Sequence, residues 1–570
     1  MVGKDVRANA ETWIATGFHR CGPLHAVGGN VDREEIRNEV LTEMVQGIGS
    51  VFLGLTINCA RCHDHKFDPI SQADYYRLEA FFASTRAKDV DFAAGDERTS
   101  YQLKLLGVMA KIAPLKAKVV ALDAPYQAKV REMKKAALEP HYREALDLDA
   151  KKRTPEQEKL FKEAQTLVKV TWDQTLAAMP PDVRERRVIL RAEQHAAEAE
   201  LPMPPSLAWA IADDGKPTPT YILKRGEVKK KGEVVSAAFP RVITASSPDA
   251  KLSRKDLAEW LTAKDHPLTA RVFVNRLWQH HFQHGIVRTP NDFGRRGARP
   301  THPELLDWLA VEFRESGWKI KDIHRLMVLS NTYRQSSRLD DADRRGREID
   351  PDNHLFGKMN RRRIEGETIR DAILAASGSL NRDLGGPMVR VPLEPEVYDL
   401  IFTEGEPDGL WSVTTDVRQH TRRSIYLFAK RNVRQPLLEA FDQPDRLTSC
   451  SDRGISTFAP QALILMNGPL SQTESRAMAS RLLKECGHDR EKWMAEAYRR
   501  CLGRLPTEKE RTIGKTFLAG QIKIIQDRLR SRVAATLAER LIGDAVLAEA
   551  AALADYCLAL FNSNEFVYVP

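Results

Sequence analysis

The sequence has few of the features that mark membrane proteins and disulfide-rich secreted proteins. None of its 570 residues lies in an uninterrupted apolar run of 18 or more, which argues against a transmembrane helix. The segment that follows Met1 has no apolar stretch of the kind found in signal peptides. The seven cysteines are scattered except for Cys59 and Cys62, so the sequence predicts no disulfide framework.

Fingerprints of well-known catalytic sites are missing as well. The sequence contains no GxSxG, HExxH, P-loop or dinucleotide-binding pattern. The sequence alone therefore leaves open whether the protein is an enzyme. Its composition, 42% hydrophobic and 29% charged, is typical of a globular protein with several domains. The net charge is +9, but the basic excess is spread along the chain and predicts no nucleic-acid partner.

The most informative feature that is present is a CxxCH pattern at Cys59, Cys62 and His63. At the observed abundance of cysteine and histidine, chance would produce about 0.002 such patterns per chain. CxxCH is the attachment pattern of c-type haem, in which two thiols form thioether bonds and the adjacent imidazole binds the iron. The pattern therefore predicts haem c, with Cys59, Cys62 and His63 as the binding residues.

The same residues allow a second interpretation. Two thiolates and one imidazole make up most of a zinc site, and Cys59, Cys62 and His63 with His65 or Asp68 form a plausible tetrahedral set for zinc or another divalent metal. In a third interpretation the thiols bind nothing, and Asp64, Lys66 and Asp68 only cap turns and pair with one another. The sequence does not decide among the three.

The residues around the motif are spaced for helices. Apolar side chains recur at helical intervals over 33–48, and Ser71 with Asp74 forms the signature of a helix N-terminus. The motif is therefore predicted on a loop or short helix between two packed helices. Because only about thirty residues precede the first helix, the apolar helix faces must be covered by a later helical arm, by the C-terminal domain or by sequence upstream of this chain. We expect the upstream sequence to cover them, with the arm as a partial substitute.

The whole chain is predicted to be mainly α, a multidomain helical protein with a small β-containing segment at about 202–247. A long helical hairpin or coiled-coil arm is predicted before that segment. The predicted division is 1–98 for the domain with the CxxCH motif, 99–201 for the arm, 202–250 for a strand-containing linker and 251–570 for a C-terminal domain. A further strand is predicted at 423–428.

Several long motifs resemble one known pair of domains. The first part of the chain resembles the C-terminal part of the second type of planctomycete cytochrome-C-like domain, and the rest resembles its usual planctomycete-specific partner domain of unknown function. The motifs that carry the resemblance are CARCHDHKFDPI at 59–70, NRLWQHHF at 275–282, HPELLDWLA at 302–310, LSNTYRQS at 329–336, RRRIEGE at 361–367, FDQPD at 441–445 and NSNEF at 562–566.

The resemblance implies a location and a role. Its members are exported proteins, so we expect a periplasmic or cell-surface protein whose export signal is missing from this chain. The expected function is c-type haem binding with an electron-transfer role and a redox partner. One alternative is a non-haem metalloprotein or hydrolase-like enzyme that acts on an extracellular polymer and uses the CxxCHDH segment as its metal site. A surface or scaffold protein is the other alternative.

If haem is bound, its iron has a second axial position. Met44, Met109, His19 and His25 are the candidate ligands within the first half of the chain.

A second histidine cluster, His280, His281 and His284, lies in the predicted helix 270–284, where positions 280 and 284 would share one face. These imidazoles could bind a metal or the haem iron, but Trp278 and Phe282 beside them favour a packed amphipathic helix. We therefore interpret the cluster as packing.

Overall fold

The computed structural model describes residues 10–22, 32–93, 95–149, 153–198, 200–202, 205, 207–215, 218–244, 251–337, 344–393, 413–430, 433–445, 450, 452–530 and 544–569. His25, one of the candidate ligands, lies outside these residues.

The described part of the chain is mainly helical. Its α-helices are α1 (Ala10–Thr16), α2 (Arg33–Gly47), α3 (Gln72–Ala80), α4 (Gly95–Ala137), α5 (Pro140–Asp147), α6 (Pro155–Leu167), α7 (Trp172–Ala177), α8 (Pro181–Glu198), α9 (Arg254–Leu261), α10 (Thr269–Phe282), α11 (Pro303–Glu315), α12 (Ile320–Leu329), α13 (Arg344–Ile349), α14 (Gly366–Ser377), α15 (Pro436–Ala440), α16 (Ala459–Asn467), α17 (Pro469–Cys486), α18 (Arg490–Leu502), α19 (Glu508–Arg530), α20 (Asp544–Phe561) and α21 (Asn564–Val567).

The strands form small antiparallel pairs. β1 (Thr85–Asp91) pairs with β2 (Leu207–Asp213), β3 (Thr220–Leu223) with β4 (Lys231–Val235), and β5 (Arg362–Arg363) with β6 (Tyr568–Val569). β2, β3 and β4 lie within the segment predicted to contain strands. The predicted fold class, mainly α with a small β segment, is confirmed.

The described residues of the chain form two compact units. The first comprises Met1–Phe92, Leu207–Ser379 and Pro436–Pro570, and the second comprises Ala93–Ser206 and Leu380–Gln435. Within the second unit, α4 packs along α8, which confirms the predicted helical hairpin. Val108 and Ile112 on α4 are buried against Ala197 on α8. The predicted strand at 423–428 is wrong, because Ser424–Tyr426 forms a 3-10 turn flanked by isolated bridges at Arg422 and Leu427.

In the first unit, local sequence signals set the ends of the helices around the CxxCH motif. The Asp32 carboxylate accepts the backbone N–H of Glu34 at the start of α2. Ser71 and Asp74 form a reciprocal capping box at the start of α3, as the sequence predicts. Such a cap satisfies N–H groups that have no partner within the helix.

The apolar faces of α2 and α3 share one core with later parts of the chain. Tyr75, Tyr76 and Leu78 on α3 are fully buried there. The core also contains Ile211 of β2, Leu223 of β3, and Leu257, Trp260 and Leu261 of α9. Segments within this chain therefore cover these faces. The expectation that upstream sequence covers them is wrong for this core, because the periodicity of one helix does not reveal its distant partners.

Further cores of the first unit form around later helices. One packs α10, α11 and α12 together, with Phe282 and Phe313 in its centre. Another packs α14 against α17, α18, α19 and α20 around the buried ring of Trp493. No helix among the described residues combines the length and apolarity needed to cross a membrane, in agreement with the absence of a predicted transmembrane segment.

A short π-helix, Ile48–Leu53, follows α2 and ends at Gly54. Gly54 has a positive φ of 59°, a conformation that residues with a Cβ adopt at a cost. Its carbonyl accepts the N–H of Phe293 at 2.7 Å. A Cβ at this position would lie 2.8 Å from Val272 and 2.9 Å from the Phe293 ring. The chain can therefore approach α10 this closely only with glycine at position 54.

We predict that Gly54→Ala lowers the free energy of unfolding by roughly 2–4 kcal/mol, because it adds both backbone strain and overpacking. Urea unfolding of the full chain measures the effect. Gly520→Ala is the matched control, since Gly520 lies in α19 with nothing within 4 Å of its added methyl, and alanine there should be neutral or slightly stabilising. Equal stability of Gly54→Ala and the natural protein would contradict the tight approach.

Candidate functional site

The CxxCH motif occupies a 3-10 helix, Ile57–Arg61, and the residues just after it. Because a 3-10 helix repeats every three residues, positions three apart lie on the same side. Ile57 and Ala60 are buried in the core, whereas Cys59 and Cys62 are exposed. The same turn thus anchors the segment on one side and presents both thiols on the other.

Arg61, which lies between the two cysteines, fixes the turn in place. Its guanidinium donates to the Asn38 side chain of α2 at 2.6 Å. Its carbonyl accepts two hydrogen bonds from α3, from the Gln72 amide and from the Tyr76 hydroxyl, each at 2.9 Å. These contacts hold the backbone between the thiols against both neighbouring helices.

His63 is exposed, and its ring has a defined tautomer. Its Nδ1 lies 2.7 Å from the backbone carbonyl of Asp64. A carbonyl oxygen only accepts, so Nδ1 carries the hydrogen and, in the neutral ring, Nε2 keeps its lone pair. Histidines that bind metals are commonly oriented in this way, with one ring nitrogen donating to an oxygen and the other facing the metal.

His65 has both ring nitrogens engaged in the fold. Its Nδ1 accepts the backbone N–H of Asp68 at 2.9 Å, and its Nε2 lies 3.0 Å from the Thr56 hydroxyl. Because Nδ1 is the acceptor, the neutral ring carries its hydrogen on Nε2 and donates it to Thr56. His65 therefore stabilises the loop that follows the cysteines.

Asp68 is buried and binds the backbone of a distant loop. Its Oδ1 accepts the N–H of Arg295 at 2.8 Å. A Cβ on Gly294 would lie only 2.4 Å from Oδ2, so glycine is needed where the loop meets the carboxylate. Phe293 of the same loop donates its N–H to Gly54. Residues 293–295 thus hold the segment 54–68 near both of its ends.

These contacts bear on the proposed metal ligands. Among the described residues, no group of three or more His, Cys, Asp or Glu side chains is close enough to hold a metal ion. His65 and Asp68 are engaged with Thr56 and Arg295. The assignments of Cys59, Cys62 and His63 to haem, and of the larger set to zinc, stay predictions.

The turn between β3 and β4 lies beside the second thiol. Residues Lys224–Gly226 form a 3-10 helix at the start of this turn, and a Cβ on Gly226 would come within 2.9 Å of Cys62 Sγ. The Gln72 amide that binds Arg61 also donates to the carbonyl of Leu223, at 2.9 Å. The motif is therefore bordered by two loops from later in the chain, the β3–β4 turn and residues 293–295.

A buried carboxyl group lies behind the motif. Glu79 of α3 is 4% exposed, and its Oε2 has no hydrogen-bond partner among the described residues. Burial raises the pKa of Glu79 to about 7, although the positive charges of Arg61 and Arg37 oppose the shift. We did not predict this residue, but its spacing of four from Tyr75 and three from Phe82 places it on the buried face of α3.

Glu79 makes stability depend on pH. Its pKa in the folded chain lies above the ordinary value of 4.5, so the folded state holds the proton more tightly than the unfolded state. The contribution of Glu79 to the free energy of unfolding is fully present below about pH 4.5 and is lost as the pH rises through about 7. The shift corresponds to about 3 kcal/mol. We predict that Glu79→Gln removes this loss, so that the variant gains protection relative to the natural protein at pH 8 but not at pH 4.5.

Hydrogen exchange of peptides that span α3, compared at these two pH values after correction for intrinsic exchange rates, measures the difference. Glu35→Gln is the control, because Glu35 is exposed on the neighbouring α2. A gain for Glu79→Gln that is equal at both pH values would contradict the raised pKa.

The described candidates for the second axial ligand lie in different surroundings. Met44 is buried in the core with α3, and Met109 is exposed on α4. His19 packs against the rings of Phe18 and Phe82, and its burial lowers its pKa to about 4. Because Phe82 follows the C-terminal end of α3 whereas Asp64 caps its N-terminal end, His19 lies at the far end of that helix from the motif.

The second histidine cluster differs from the sequence prediction. Helix α10 ends at Phe282, and Gln283 has a φ of 74°, so His280 and His284 do not share a helical face. His281 instead lies 2.7 Å from His324 of α12, Nε2 to Nδ1. Sequence reasoning missed this contact, because a separation of 43 residues leaves no local signal.

Family comparisons match two parts of the chain. Residues 1–87 match PSCyt2, described as a protein of unknown function (DUF1549), and residues 253–518 match PSD1, described as a protein of unknown function (DUF1553). The first match contains the CxxCH motif, and the second contains the loop 293–295. No curated protein and no solved structure matches the chain. The resemblance is thereby confirmed, and the chain combines sequence of the planctomycete cytochrome-C-like family with sequence of its partner family.

Proposed function

We propose that the protein binds one c-type haem and takes part in electron transfer. Cys59 and Cys62 would hold the porphyrin through thioether bonds, and Nε2 of His63 would bind the iron. The observation that supports this most is the hydrogen bond from His63 Nδ1 to the carbonyl of Asp64, because it leaves Nε2 as the free ring nitrogen next to two exposed thiols.

The donor arrangement suits haem better than zinc. A tetrahedral zinc needs four donors at about 2.0–2.3 Å from one point, whereas the two thioether bonds of haem c attach to separate vinyl groups. The exposed side of the 3-10 turn supplies two thiols and one imidazole. His65 and Asp68, which the zinc interpretation needs for its fourth ligand, are occupied by Thr56 and Arg295.

The protein's own part in this function is to hold the three binding residues. Asn38, Gln72 and Tyr76 fix the backbone at Arg61, so the two thiols are positioned by a supported turn. Haem, when bound, supplies a one-electron couple of its iron. Covalent haem attachment takes place outside the cytoplasm, so the proposal includes export to the periplasm or the cell surface.

We predict that replacing both Cys59 and Cys62 by Ser abolishes covalent haem, because a hydroxyl cannot form the thioether bond. The protein is produced with an export signal and a cytochrome maturation system, and the pyridine haemochrome and the mass of the peptide 55–70 are measured. Replacing the exposed Cys21 and Cys450 by Ser is the matched control and should leave the haem content unchanged. A peptide 55–70 without added haem in the natural sequence would overturn the proposal.

A second measurement separates the alternatives. A colourless protein with one equivalent of zinc that is lost on Cys59→Ser would favour the metalloprotein. A protein with neither haem nor metal would favour the surface or scaffold role.

We further predict that His284→Ala leaves the Soret band and the haem content unchanged. His284 lies beyond the end of α10, where burial and the neighbouring Arg288 lower its pKa, and we interpret it as part of the packing there. His63→Ala is the comparison and should remove the spectrum of a histidine-bound iron. Loss of low-spin character in His284→Ala would show instead that this residue reaches the haem.

A further inference from the structure

The exposed side of the CxxCH motif is bordered by basic side chains from three separate segments. Lys66 follows the motif, Lys224 and Arg225 belong to the β3–β4 turn, and Arg295 and Arg296 belong to the loop that holds Asp68. All five are exposed. We call these five residues, together with the Phe67 ring, the basic face.

The geometry of the loops brings these segments to the motif. The β3–β4 turn touches Cys62 through Gly226. The loop 293–295 reaches Asp68 through a hydrogen bond of 2.8 Å to Arg295. Arg296 then lies over the Phe67 ring, 4.7 Å from its centroid. These basic residues are far apart in the sequence. The distribution of charge along the chain therefore did not reveal that their segments come together near the motif.

Acidic residues in the same segments do not neutralise this charge. Asp64 accepts the backbone N–H of Gln72 at 2.7 Å and caps α3. Asp68 is buried, and Glu227 pairs with Lys230 at 2.7 Å. Among the described residues, none of the five basic side chains forms an ion pair with a carboxylate. Their positive charge is therefore available to a partner.

An aromatic ring lies within the basic face. Phe67 is 39% exposed, with Lys66 at 5.3 Å and Arg296 at 4.7 Å from its centroid. Arginine and aromatic side chains are enriched in the centres of protein–protein interfaces. A sulfated polymer needs the charge and little apolar surface, and a single ring that is only partly exposed offers an anionic membrane much less apolar area than the amphipathic face of a membrane-binding helix.

We propose that the basic face is the docking surface for an acidic protein partner, whose carboxylates meet the five cations while an apolar side chain covers Phe67. Because the β3–β4 turn of this face lies against Cys62, the partner would dock beside the redox group. This last step rests on the proposed function, whereas the binding itself does not.

The test uses the full chain and a fluorescein-labelled peptide of ten glutamates with one central leucine, followed by fluorescence anisotropy at about 20 mM ionic strength. The triple variant Lys66→Glu, Lys224→Glu, Arg295→Glu should weaken binding about tenfold or more, because attraction becomes repulsion at short range. The corresponding triple change to Gln should give a smaller loss. Phe67→Ala should weaken binding of this peptide but not of a peptide of ten glutamates alone.

The matched control is Lys484→Glu, Lys509→Glu, Lys523→Glu, three exposed lysines at the C-terminal helices. It changes the net charge by the same amount and should alter the affinity less than twofold. An equal loss in both triple variants would show a general charge effect and overturn the docking surface. Tighter binding of a heparin oligosaccharide or of phosphatidylglycerol vesicles, lost in the first triple variant, would overturn the choice of a protein partner.

The same measurement on the Cys59→Ser, Cys62→Ser variant separates the two proposals. Retained peptide binding without covalent haem would show that the face acts independently of the haem. Covalent haem without peptide binding in the natural sequence would leave the proposed function standing and overturn the docking surface.

Discussion

Two backbone N–H groups of one loop hold the segment on which the candidate site is built. The N–H of Phe293 donates to the carbonyl of Gly54, and that of Arg295 donates to the buried carboxylate of Asp68. The 3-10 turn with the two thiols lies between these attachment points. The first family match contributes the turn and the second contributes the loop, so the position of the turn depends on sequence from both families.

The contact at Asp68 also explains how a carboxylate is accommodated in a buried place. A buried charge is costly unless hydrogen bonds compensate it, and bonds to charged groups contribute about 1.5–3 kcal/mol. Asp68 accepts the N–H of Arg295. Its carboxylate can come this close to the loop only because Gly294 has no side chain. Glu79 has no hydrogen-bond partner at Oε2 among the described residues, and burial raises its pKa.

The sequence predicted the features that depend on neighbours along the chain. The mainly helical class, the Ser71–Asp74 cap and the helical hairpin follow from local spacing and capping chemistry, and the structure contains all three. Features that depend on distant partners were not predictable. The cover of α2 and α3 by β2, β3 and α9, the His281–His324 contact and the anchoring of Asp68 all join residues far apart in the chain. Even within one motif the sequence was not sufficient: it predicted a helix to His284, whereas α10 ends at Phe282.

The way in which the loop 293–295 is attached has a consequence for the surface around the thiols. The hydrogen bonds of the loop to Gly54 and Asp68 come from its backbone, and Gly294 contributes only the absence of a side chain. The side chain of Arg295 is therefore not needed for the attachment and is exposed. Backbone atoms of this loop thus hold the segment that carries the thiols, whereas its arginine side chains supply the positive charge. Because these roles are separable, the charge of the basic face can be changed while the turn that carries Cys59 and Cys62 keeps its backbone contacts.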